Sequence, residues 1–84
     1  MREVRLYYSD FGTMYIDDTS SHNIEARVIE FITSGVISNL SEMGIADPLT
    51  THNIATKTLP AGFKLYAKTK FTSITLSSGS VNCY

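Results

Sequence analysis

From Ile24 to Met43 the apolar residues Ile24, Val28, Ile29, Ile32, Val36, Ile37, Leu40 and Met43 recur at the spacing of one helix face. The chain has 84 residues, and a domain of that size buries only roughly 60 to 65% of its unfolded surface. One long helix would therefore use much of the available core, leaving room for one small sheet. Ser21 stands where an N-cap would, and Gly44 with Ile45 suits a left-handed helix ending. Gly35, inside the run, predicts a kink or a close contact with the sheet.

The flanking segments alternate with a period of two. In residues 3–18, Val4, Leu6, Tyr8, Met14 and Ile16 share one parity, and a hairpin turning at Asp10-Phe11-Gly12 keeps them on one face. That register sets Arg5 opposite Asp17 and Tyr7 opposite Tyr15. A second hairpin is predicted around Leu59-Pro60-Ala61-Gly62, with Thr58 opposite Phe63 and Lys57 opposite Lys64. In residues 63–71, Phe63, Leu65, Ala67 and Phe71 take the inner parity, while Lys64, Tyr66, Lys68 and Lys70 take the outer. The apolar parity then changes to Ile74 and Leu76, which implies a bulge or a new strand near Thr72-Ser73.

The predicted architecture is α+β, a small antiparallel sheet of four to five strands in the order ββαββ(β), packed on one long helix. It is a single domain over residues 1–84, with 78–84 as a flexible tail. Its expected core comprises Val4, Leu6, Tyr8, Met14, Ile16, Ile24, Val28, Ile32, Ile37, Leu40, Ile54, Phe63, Leu65 and Phe71.

Charge is divided along the chain more sharply than the net value of −1 suggests. All eight acids lie in residues 1–47 with the three arginines, whereas residues 48–84 hold four lysines and no acid. Such asymmetry bears on partners rather than on fold. No apolar run reaches the roughly 18 to 20 residues of a helical membrane span, and "MREVRLYYSD" lacks the apolar stretch of a signal peptide. With Cys83 the one cysteine, a reducing, cytoplasmic setting is expected, with Cys83 a free thiol on a loose tail.

Catalytic and metal-binding patterns are weak. "SDFG", residues 9–12, matches the letters of a kinase metal-binding motif, but the chain is far too short for a kinase and the hairpin turn accounts for each position. Asp17 and Asp18, adjacent on a strand, point to opposite faces and cannot converge on one substrate. His22 and His52 lie 30 residues apart without ligand spacing and read as surface residues. Neither an enzyme, a cofactor nor a metal is expected.

Two surfaces remain as candidate binding sites. One is the row of Lys57, Lys64, Tyr66, Lys68 and Lys70, where Lys57 facing Lys64 would be relieved by an anion. The other is the cluster of Arg5, Tyr7 and Tyr15, residue types common among interface hot spots. The leading expectation is a small non-enzymatic protein of inhibitor or adaptor type that occupies an acidic patch of a partner protein, and that could self-associate. Its size and lack of motifs match by analogy proteins that viruses and mobile elements direct against their hosts. The alternative is an anionic ligand, a nucleotide or nucleic acid, on the lysine and tyrosine face. That face has no arginine and only one aromatic residue, which counts against nucleic acid.

Overall fold

A computed structural model describes residues 14–84. The element order is β1 (Met14–Ile16), β2 (His22–Glu42), α1 (Pro48–Thr51) and β3 (Lys64–Cys83). The predicted long helix is instead β2, a bent strand of 21 residues. Among the described residues the sheet has three antiparallel strands in the order β1-β3-β2. The expected sheet of four to five strands on a long helix is therefore incorrect, and the one helix has four residues.

The burial pattern of β2 explains the misreading. Its inward positions are Ile24, Ala26, Ile29, Phe31, Gly35, Ile37, Leu40 and Glu42. These advance in steps of two, broken by steps of three and four, and each of the longer steps contains a register shift of the ladder, which shifts at other points as well. A bulge adds a residue and changes parity, so a repeatedly bulged strand acquires spacings close to those of a helix. Its β-branched residues Ile24, Val28, Ile29, Ile32, Thr33, Val36 and Ile37 favour the extended chain. Ile32, placed in the helix core by its spacing, is 42% exposed, while Phe31 beside it is buried.

The bends let β2 and β3 pair along both of their edges. Ile29 lies opposite Leu65 on one side and Cys83 on the other, and Glu30 likewise lies between Lys64 and Asn82. Further along, β3 becomes the middle strand: Ser73 lies between Asn23 and Ser41, and Ile74 between His22 and Leu40. The strands cross closely at Gly35 and Gly79. A Cβ on Gly35 would overlap the Ser78 carbonyl oxygen, and one on Gly79 would come within 2.7 Å of the Ser34 carbonyl oxygen. Gly79 also has φ +89°, a conformation that glycine adopts without strain. The parity change predicted at Thr72-Ser73 is present as register shifts on both partners, between Asn23 and Ala26 and between Ser41 and Glu42.

Residues 43–63 do not supply the first strand of a second hairpin. Gly44, with φ +78°, turns the chain after β2 rather than ending a helix, and the Ile45 amide donates to the Glu42 carbonyl at 3.1 Å. Asp47 then caps α1 by accepting from the Thr50 amide, with Pro48 in the first turn. A turn does form at the Pro60 segment, where the Phe63 amide donates to the Pro60 carbonyl at 3.1 Å. Its partner is β2: Leu59 and Gly35 exchange two hydrogen bonds, and the Gly62 amide donates to the Phe31 carbonyl. Lys57 therefore does not face Lys64, because Glu30 does.

The core lies inside the curled sheet, around Phe31, Phe71, Ile29, Ile74, Leu76 and Val81. Phe31 packs edge-on against Phe63 with ring centroids 6.3 Å apart. Met14, expected inside, is exposed. Residues 78–83, expected as the start of a tail, complete β3, and Val81 and Cys83 pair with Ile16 and Met14 of β1. Cys83 is buried rather than loose. The predicted hairpin arm with Val4, Leu6 and Tyr8 lies outside the described residues.

Candidate functional site

Directly opposed residues of an antiparallel ladder share a face, so the register alone assembles the outer surface of the sheet. One row crosses it from Tyr15 through Asn82 and Glu30 to Lys64. The next runs from Tyr84 through Val28 to Tyr66: the Tyr84 amide donates to the Val28 carbonyl at 2.9 Å, and Val28 lies opposite Tyr66. Tyr66 is 61% exposed and Tyr15 56%. The Tyr84 hydroxyl donates to Glu30 Oε1 at 3.1 Å. Burial, then the hydrogen bond and charge of Glu30, push the Tyr84 hydroxyl above its usual pKa, with Lys64 acting in the opposite direction.

A bulge adds a cation to this surface. The amides of Arg27 and Val28 both donate to the Tyr84 carbonyl, at 2.9 and 2.8 Å, so two consecutive residues of β2 oppose the one residue that follows β3. Ala26 and Ile29 point inward on either side, and Arg27 is exposed. On β3, the segment between Tyr66 and Phe71 is longer than the β2 stretch it faces, Val28 to Ala26. Residues 67–70 consequently bow out of the ladder, carrying Lys68 and Lys70.

This bow is tied to the end of β2 by a buried carboxylate. Glu42 Oε2 accepts from the Lys68 amide at 2.6 Å and from the Thr69 amide at 3.3 Å. Glu42 Oε1 accepts from His52 Nε2 at 2.7 Å. The Met43 amide donates to the Lys70 carbonyl at 2.8 Å, and Thr69 Oγ1 donates to the Met43 carbonyl. Burial is the largest influence on the Glu42 carboxyl and pushes its pKa up, but the His52 hydrogen bond and the two amides outweigh it, holding the group below its ordinary 4.5. His52 follows α1, and its ring lies 5.9 Å from that of buried Phe71. It is a structural partner of Glu42, not the surface residue expected.

Arg27, Met43, Lys68, Thr69 and Lys70 together line an open cleft of about 390 Å³. A larger groove of about 500 Å³ has an apolar floor of Ile24, Ala26 and Cys83, with Glu25 and Lys70 at its rim. Burial pushes the Cys83 thiol up to about 12, so the thiol is a poor nucleophile and a poor metal ligand. Where the chain enters β2, His22 Nε2 and Asp18 Oδ1 are 2.7 Å apart, with Asp18 exposed and His22 half-buried. The His22 hydrogen bond, then the Ser20 amide, hold the Asp18 carboxyl below its usual range. Among the described residues no group of three or more His, Cys, Asp or Glu side chains could hold a metal ion.

Of the sequence-derived candidates, Tyr15, Lys64, Tyr66, Lys68 and Lys70 lie on the sheet, and the register brings Tyr15 onto the face of Lys64 and Tyr66. Lys57 lies apart, on the connection before β3, and Arg5 and Tyr7 lie outside the described residues. The sequence reading missed Arg27, Glu42, Met43, His52 and Tyr84. The apolar spacing places Arg27 and Met43 on a helix, and Tyr84 falls in the segment expected as a tail. Glu42 gave no signal either, because the helical spacing leaves it off the apolar stripe and only the bulged strand turns it inward.

The described residues thus define a small, mostly β protein whose curled sheet presents tyrosines and cations on its outer face. No protein-family model matches the chain, and neither a curated protein nor a solved structure matches it. Among the described residues no helix is long and apolar enough to cross a membrane.

Proposed function

We propose that the protein is a non-enzymatic binding protein of the cytoplasm, of inhibitor or adaptor type, whose outer sheet face docks on an acidic patch of a partner protein. The observation that carries this reading is the register that gathers Tyr15, Tyr66 and Tyr84 with Lys64 on one face, beside which the bulge at Arg27 and the bow at Lys68 add two cations. Tyrosine brings a large, rigid contact area with a polar tip, and arginine and tyrosine dominate interface hot spots. Four cations, Arg27, Lys64, Lys68 and Lys70, outnumber the acids Glu25 and Glu30 around them, and the Glu30 carboxylate already accepts from Tyr84. The complement of that surface is acidic.

The test compares capture from a cytoplasmic lysate by the wild-type protein with capture by Tyr15→Ala/Tyr66→Ala and by Lys64→Glu/Lys68→Glu, each first shown to be folded by thermal unfolding. The expected result is an acidic protein retained by the wild type at physiological salt and lost from both variants. Equal retention by the variants, or capture of no protein, would overturn the reading.

A further inference from the structure

We infer that the cleft between Arg27, Lys68 and Lys70 is a site for a phosphate group, free or carried on a small organic molecule. The inference does not rest on the protein-docking reading, although the two surfaces share Arg27, Lys68 and Lys70.

Three cations from two strands line this one cleft, although the chain has only seven lysines and arginines. They do not converge by accident of a flexible surface. The bulge opposite Tyr84 turns Arg27 outward, and the buried Glu42 carboxylate fixes the bow that carries Lys68 and Lys70. Among the described residues, no carboxylate forms an ion pair with any of the three; the two ion pairs present are those of His22 and His52.

The negative groups nearby are already engaged or lie to one side. Glu42 sits beneath the bow with His52 and two amides as partners. Glu25 shares the neighbouring groove with Lys70, which leaves Arg27 and Lys68 as the principal cations of the cleft. A phosphate monoester carries about −1.5 to −2 charges near pH 7 and presents three acceptor oxygens. The arginine fork matches that geometry with two parallel hydrogen bonds, and lysine adds a point charge. At about 390 Å³ the cleft also falls in the range typical of small-ligand sites. Met43, 52% exposed beside the cations, supplies a polarisable wall for an organic portion.

The test is a titration of the ¹⁵N-labelled protein at constant ionic strength, with inorganic phosphate in one arm and a nucleoside monophosphate in the other. Saturable shifts are expected at the amides of Arg27, Met43, Lys68, Thr69 and Lys70. The affinity should fall at least tenfold in Arg27→Ala and in Lys68→Ala, variants of exposed residues that should keep the wild-type spectrum elsewhere. If the monophosphate binds at least tenfold tighter than phosphate and Met43→Ala removes that gain, the ligand is a phosphate on an organic carrier. Equal affinities identify free phosphate as the ligand. Linear, non-saturating shifts, or binding unchanged in both variants, would overturn the site. Capture of a partner by Tyr15 and Tyr66 would be unaffected by that failure, so the two proposals fail separately.

Discussion

The Glu42 carboxylate and the His52 imidazole meet at 2.7 Å, with the Glu42 side chain fully buried and that of His52 only 10% exposed. With the amides of Lys68 and Thr69 on its other oxygen, Glu42 joins three parts of the chain: the end of β2, the residue after α1 and the bow of β3. Glu42→Ala would leave all of these donors without their acceptor. The expected loss is about 3 kcal/mol, read from urea unfolding, with Glu42→Gln less severe because it keeps one acceptor for the amides.

The same carboxylate sets a pH dependence. Its folded pKa lies below its ordinary 4.5, so in that range the unfolded chain binds more protons than the folded one. The stability Glu42 contributes is therefore full above about pH 4.5 and is lost as the pH falls through the lower, folded value. Unfolding free energies from pH 7 to 3 should decline more steeply for the wild type than for Glu42→Gln. Parallel curves would mean that Glu42 is not the responsible group.

Phe31 and Ile32 distinguish strand from helix. In a strand with Phe31 buried and Ile32 exposed, Phe31→Ala should cost about 3 to 5 kcal/mol by creating a cavity, and Ile32→Ala less than about 1 kcal/mol. The helical spacing gives the opposite order. Chemical denaturation of the two variants decides between them.

Gly35 and Gly79 mark where the strands cross. Because a Cβ on Gly35 would overlap the Ser78 carbonyl oxygen, a backbone atom that cannot swing aside, Gly35→Ala should cost more than about 2 kcal/mol. Thermal unfolding measures the loss. Gly62 has open space where a Cβ would be but φ +87°, so Gly62→Ala should cost only the strain of the left-handed conformation, about 1 to 2 kcal/mol.

Cys83 should be inert in the folded protein. Burial raises its pKa to about 12 and covers it, so both thiolate fraction and access are low. With a thiol-specific reagent at pH 8, reaction should be at least about a hundredfold slower than in denaturant. Equal rates would show that the end of β3 is open.

Parts of this architecture were legible without the fold. The alternation of Phe63, Leu65 and Phe71 against Lys64, Tyr66 and Lys68 marks a strand with one wet face, and these residues occupy those faces. The parity change at Thr72-Ser73 marked a bulge because side-chain direction in a strand has a period of two. Gly44 marked a left-handed position, which it occupies, but the same glycine suits a helix ending and a tight turn equally well. Cys83 gave no signal of burial, since what buries it is its pairing with Met14 of β1 and Ile29 of β2.

The sequence by itself determined that residues 64–76 are extended, where they slip and which of their side chains face water, but not that the strand runs on to Cys83. Those properties depend on neighbours one or two residues away. Only the tertiary structure decided that Ile24–Glu42 is a strand, because its inward residues are spaced by bulges whose positions are set by partners tens of residues distant. It also decided that Lys64 faces Glu30 rather than Lys57, and that Arg27, Lys68 and Lys70 line one cleft. Cross-strand proximity follows from register, and in a sheet whose strands pair on both edges the register belongs to the whole assembly.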